Sequence, residues 1–248
     1  MIMLITRRCT LFWALAAITA RPARAEALPP VDVALVLALD VSTSVIDARW
    51  ELQRGAYRDT FLDPAIIARI SQGPIGRIAV TVVEWSEGES RVQVVPWTLV
   101  SDKATGASFS AALATMPRAF KGNTCIGGGL YLSTQLLQSA PFDAMRKVID
   151  ISGDGTQNVM GFAENGNQSL RADVVRDLAV ASGIVINGLP ILLPENDSYY
   201  FIGDNAGVVP FYQEQVISPN GFIVVVPNGN DAGAFGEALK RKLLIEVS

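Results

Sequence analysis

Val33-Ala34-Leu35-Val36-Leu37-Ala38-Leu39-Asp40-Val41-Ser42-Thr43-Ser44 is the stretch that decides the fold. Its first seven residues are apolar without alternation, which reads as a strand buried on both faces. The strand delivers Asp40, Ser42 and Ser44 into one turn. In an extended turn, residues two apart point the same way, so the three side chains can face one point. All offer oxygen, and none offers nitrogen or sulfur. Oxygen ligands with one or two carboxylates are what hard divalent cations select.

Outward from that strand, apolar runs alternate with helical patterns. Ala48–Ile70 reads as a helix broken at Pro64, and Ile78–Trp85 as a second buried strand. Arg91–Pro96 follows a turn-like Ser86-Glu87-Gly88-Glu89 so closely that it reads as an antiparallel edge strand. Ser101 is placed to start a helix running to about Met116, and Gly127–Leu137 reads as another. Arg146–Ser152 and Ile184–Leu192 read as strands. Ser169–Ser182 between them is amphipathic, with Leu170, Val174, Leu178 and Ala181 on one face and Gly183 as its stop. Leu193–Gly221 is the least regular part, with turn signals at Asn196-Asp197-Ser198, Gly203-Asp204-Asn205 and Pro219-Asn220-Gly221 and a short helix near Val209–Ile217. Phe222–Val226 reads as a sixth strand and Asp231–Leu244 as a closing helix. The expectation is a doubly wound α/β domain. Its sheet has six mostly parallel strands with one antiparallel edge, and helices cover both faces. Ligands of such folds bind at the carboxyl ends of the strands.

Two further segments carry matching chemistry. Thr124-Cys125-Ile126-Gly127 precedes a helix, and Gly153-Asp154-Gly155 follows the apolar run Lys147–Ser152. In order the chain reads D-x-S-x-S, T-x-x-G, then a strand ending in D-G. This resembles the metal-ion-dependent adhesion site (MIDAS) of von Willebrand factor A domains. The resemblance runs from about Val31 to Val247 and is closest to an exported proteobacterial A-domain family without an assigned function. It implies that Asp40, Ser42, Ser44, Thr124 and Asp154 hold Mg²⁺, Mn²⁺ or Ca²⁺, with Asp154 binding directly or through water. It further implies that an open coordination position grips an acidic side chain or C-terminal carboxylate of a protein partner. One departure stands out. The family commonly has Thr or Ser directly before the last Asp-Gly, and this chain has Gly153 there.

The N-terminus carries Arg7-Arg8, the apolar run Leu11–Ile18 and the small-residue site Ala23-Arg24-Ala25. Together these read as a signal peptide over residues 1–25, with an arginine pair that favours the twin-arginine route. The run is too short to span a bilayer. The expected protein is therefore periplasmic or secreted, with residues 31–248 as its single domain and no integral membrane span after cleavage. Cleavage would remove four arginines and no acid, taking the net charge from −4 to −8. That balance argues against nucleic acid and anionic membranes as partners. Only Cys125 would remain, so no intrachain disulfide would form. There is no histidine, which removes Ser-His-Asp and Cys-His catalysis and histidine-based zinc sites.

Blander readings stand beside these. Thr124 can cap a helix, Gly127-Gly128-Gly129 can permit close packing, and Cys125 can be a small buried apolar residue. Trp85 and Trp97 suit core or edge packing. Gly153-Asp154-Gly155-Thr156-Gln157-Asn158 also resembles the metal loop of haloacid-dehalogenase-type phosphatases. That chemistry needs a second Asp two positions after the first; Ser42 stands there, and Asn158 stands where the loop should end in Asp. A further alternative is a degenerate A domain that folds without metal and binds through its loops.

Overall fold

The computed structural model describes residues 27–164, 166, 168–195, 197 and 205–248. The arginine pair and cleavage signal, and the turn residues Asn196, Ser198, Gly203 and Asp204, lie outside them. The first strand, β1 (Pro30–Asp40), is buried from Val31 onward and forms the middle of the sheet. Around it run α1 (Asp47–Thr60), α2 (Pro64–Ser71), β2 (Ile78–Trp85), β3 (Arg91–Val100), α3 (Lys103–Thr115), α4 (Ile126–Gln138) and β4 (Asp143–Gly153). Then come α5 (Ala172–Ala181), β5 (Ile184–Pro190), α6 (Asn205–Phe211), a π-helical turn (Tyr212–Val216) and α7 (Ala232–Glu246). The strand order is β3-β2-β1-β4-β5, with only β3 antiparallel.

The pleat divides β1 between two cores. Val33, Leu35, Leu37 and Leu39 pack with Tyr57, Phe61, Phe109, Phe235 and Leu239. Ala34, Val36 and Ala38 pack with Ile126, Leu130, Val175 and Tyr212 on the opposite face. Leu39 pairs with Ser152 of β4, and Asp40 with Trp85 of β2. This register brings the ends of β1 and β4, and so Asp40 and Asp154, to the same edge.

Two sequence expectations are corrected. The sheet has five strands, not six. Phe222–Val226 does run alongside β5, making isolated bridges at Ile223 with Gly188 and Val226 with Ile191. Between those bridges lies Pro190, which has no N–H to donate, so the ladder is interrupted. The second correction concerns α5. It buries Ala172, Val175 and Ala179, while Val174, Leu178 and Ala181 face outward. Just ahead of this helix, α4 meets the chain through glycine. A carbon added at Gly127 would lie 2.0 Å from the Leu170 carbonyl oxygen.

Beneath α7 lies a fully buried charge cluster. Lys242 Nζ is 2.6 Å from Asp150 Oδ1, a close ion contact, and also pairs with Glu246. Asn187 donates to Glu246 Oε1 at 2.9 Å. Two carboxylates share one ammonium, and burial first, then Asp150, pushes Glu246 up to about 8. A carboxyl whose folded pKa is raised contributes stability below its unfolded value, and that stability is lost as pH rises through the folded value. The urea midpoint should therefore fall between about pH 4.5 and pH 8. Glu246→Gln, which mimics the protonated acid, should remove the Glu246 share of that fall and leave the share of Asp40, which burial raises to a similar value. An unchanged slope in the variant would exclude Glu246 as its source.

Candidate metal centre

Asp40 ends β1, and its Oδ1 accepts the Ser42 backbone N–H at 2.7 Å, which curls the chain into the turn. The turn delivers the expected alignment, with Ser42 Oγ and Ser44 Oγ 3.1 Å apart. Ser44 Oγ then donates to Asp154 Oδ1 at 2.6 Å. Ser42, Ser44 and Asp154 thus form one hydrogen-bonded chain of oxygen atoms. Asp40 is fully buried and its Oδ2 has no hydrogen-bond partner. Burial, followed by repulsion from Asp154, pushes Asp40 up to about 8. Burial also raises Asp154, against the pull of Ser44 and Arg49.

Thr124 reaches the same edge on a separate loop. Thr43 N–H donates to the Gly122 carbonyl at 2.7 Å, and Gly122 N–H donates to Thr43 Oγ1 at 3.2 Å. Thr124 N–H donates to Asn158 Oδ1, and the Thr124 carbonyl accepts Asn158 N–H. The three loops are therefore laced together. Among the described residues, no hydrogen bond joins the Thr124 hydroxyl to the other four side chains. Gln157 accepts from Gly127 N–H and donates to the Leu170 carbonyl. Gln157 and Asn158 thus serve as tethers between loops. Cys125 is buried, and burial pushes its thiol up, which keeps it protonated.

The sequence reading missed Arg49. This residue of the first turn of α1 is buried, and its Nη1 donates to Asp154 Oδ2 at 3.2 Å and to the Ser44 carbonyl. Nη2 reaches Asp197 at 2.7 Å and Nε reaches Asn230 at 3.0 Å. One signal was available. A helix that begins just past a D-x-S-x-S turn folds its first turn back over the strand end, so a cation there meets the carboxylates. Arg118 was missed too. Its Nη2 holds the carbonyls of Val41 and Ser42 at 2.9 and 3.0 Å, fixing the turn from outside.

The donor set fits a hard divalent ion. It comprises two carboxylates and neutral hydroxyls, one buried carboxylate oxygen is unpartnered, and the charge of Asp154 adds to burial in raising Asp40. Among the described residues there is no group of three or more Asp, Glu, Cys or His side chains placed to hold a metal ion, so hydroxyl oxygens would have to complete the coordination.

Comparison with solved structures places this architecture among von Willebrand factor A-type folds. Proximal thread matrix protein 1 from the mussel byssus, in a form with a zinc-occupied MIDAS motif, aligns with a TM-score of 0.55 at 15% identity, covering 89% of this chain and 47% of that one. The pilus adhesin SpaC from Lactobacillus rhamnosus GG, in its open conformation, gives 0.55 at 16%, covering 89% and 31%. A von Willebrand factor type A protein from Catenulispora acidiphila gives 0.51 at 15%, covering 87% and 42%. The chain spans less than half the length of each, and identities this low speak for the fold alone. A search of curated proteins found no match. The chain belongs to the DUF1194 family, described as a protein of unknown function, whose profile matches residues 30–248.

Removing the Arg49 guanidinium would leave the fully buried Asp154 without its cation. Arg49→Met should therefore cost about 3–5 kcal/mol in urea unfolding with chelator present. Arg49→Lys should recover only part of it, because a point ammonium cannot span four acceptors. A loss under about 1 kcal/mol would show that the network is dispensable.

Proposed function

We propose that this domain is an exported binding module that holds a divalent cation with Asp40, Ser42, Ser44, Thr124 and Asp154 and grips a carboxylate of a protein partner. The observation that carries the reading is the buried, unpartnered Oδ2 of Asp40 beside the chain Ser42–Ser44–Asp154. The zinc-occupied MIDAS of the byssus protein and the adhesin role of SpaC support it by fold likeness. When bound, the ion would supply a Lewis-acidic position for an incoming anionic oxygen. Asp40 and Asp154 provide two negative charges, and Arg49 offsets part of the second. The site therefore leaves a divalent ion short of full neutralisation, and a partner's Asp, Glu or C-terminal carboxylate answers that deficit.

Mg²⁺ or Mn²⁺ at a hundred times Kd should stabilise the protein by about 2.7 kcal/mol by mass action. Asp40→Ala should abolish the rise in melting temperature while leaving a folded domain. Equal shifts in the variant and the parent would end the assignment. A captured partner should be released by chelator, and changing its carboxylate to the amide should weaken binding at least tenfold, or about 1.4 kcal/mol.

Arg49 also favours a second reading, in which its guanidinium supplies the positive charge and the domain works without metal. The same melting experiment separates the two. A site served by Arg49 alone shows no cation-dependent shift in the parent or in Arg49→Met.

Export belongs to the proposal as well. Among the described residues no helix is long and apolar enough to cross a membrane. Periplasmic protein should begin at Glu26 by mass spectrometry, and changing Arg7 and Arg8 together to Lys should block export. Unimpaired export of that double variant would assign the general route instead.

A further inference from the structure

Gly153 stands where the A-domain motif commonly carries Thr or Ser, and the structure shows what occupies the space. A side-chain carbon at 153 would lie 2.8 Å from the Tyr212 hydroxyl oxygen and 2.9 Å from Asp40 Oδ2. Both oxygens therefore border the space that a side chain at 153 would fill. Both are buried, and neither has a hydrogen-bond partner. A second glycine seats the ring itself, since a carbon at Gly188 would lie 2.7 Å from Tyr212 Cδ1. Asp40, Gly153 and Gly188 share a face by strand alternation, in step with Ala38, Ile151 and Ile186. Two missing side chains on adjacent strands thus make a trough in the sheet, and the phenol lies in it with its hydroxyl toward the end of β1.

The backbone that presents Tyr212 is also unusual. Pro210, inside α6, has no N–H for the α-helical ladder. Directly after α6 the chain widens into the π-turn, in which Ile217 N–H donates to the Tyr212 carbonyl at 3.0 Å. Such single wide turns recur where a side chain must be aimed. A fully buried hydroxyl without a partner costs on the order of 1–3 kcal/mol, so both the glycines and the turn preserve an arrangement that packing alone would not favour.

We propose that Tyr212 is a positioning residue of the metal centre, its O–H supporting the Asp40 carboxylate from the interior, directly or through one ordered water. A carboxylate oxygen has two lone pairs, so Oδ2 can serve a cation and the phenolic hydrogen together. Support of this kind orients a ligand and raises the affinity of its site, and its loss typically costs tenfold to a hundredfold. The inference rests on the metal-binding reading above and adds a group that the D-x-S-x-S, T-x-x-G and D-G motifs do not contain.

The probe is Mn²⁺ alone, with free ion followed by electron paramagnetic resonance during titration of the parent, Tyr212→Phe and Asp40→Ala. Tyr212→Phe should raise the Mn²⁺ Kd at least tenfold, while its unfolding midpoint in chelator stays at or above the parent's, because the variant removes an unpartnered hydroxyl. A purely structural tyrosine would move the midpoint and leave Kd alone, which would overturn the proposal. Binding abolished in Asp40→Ala but unchanged in Tyr212→Phe would refute Tyr212 while sparing the metal site. Unaltered binding in Asp40→Ala would remove both. Should Tyr212→Phe not fold, difluorotyrosine placed at 212 alone keeps the hydroxyl. Its ¹⁹F resonance should move on addition of Mg²⁺, and an unmoved resonance would equally refute the idea.

Discussion

Everything at the functional edge follows from one constraint: a carboxylate is carried out of water at the end of the central strand. Asp40 has no exposed surface and shares its surroundings with Asp154, so its charged form is costly. The fold answers with oriented donors. Ser42 supplies a backbone N–H to Asp40, and Arg49 and the Ser44 hydroxyl compensate Asp154. Oδ2 of Asp40 is left over. The loops around it are stitched by backbone and amide bonds through Thr43, Gly122 and Asn158, so the acids cannot relax apart.

Much of this was legible in the sequence, for physical reasons that differ by element. A strand buried on both faces has to be uniformly apolar, and Val33–Leu39 shows it. The end of such a strand in a parallel sheet is where ligands collect, and Asp40 and Asp154 each stand at one such end. Helix α5 was assigned its span but the wrong face. Periodicity reports where large apolar residues recur, whereas the face that packs into the core carries Ala172, Val175 and Ala179. The sixth strand failed on a single missing donor at Pro190, which belongs to the neighbouring strand and is invisible when Phe222–Val226 is read by itself.

The residues missed at the site share a property. Arg49, Arg118 and Tyr212 carry no motif spacing and act from outside the three loops, so only the fold reveals their neighbours. Yet the sequence did hold a trace of one of them. The glycine that breaks the family pattern at 153 is the mark left by a side chain 59 positions away in the chain.

The prolines have a consequence at the scale of the whole sheet. Antiparallel β3 forms one margin and contains Pro96, while at the other margin Phe222–Val226, beyond β5, is short and followed by Pro227. Neither margin therefore offers another molecule an unbroken row of hydrogen-bond donors, the template on which sheets extend from one chain to the next. For the binding role proposed above, this leaves the loop face, and not the margins of the sheet, as the surface for a partner.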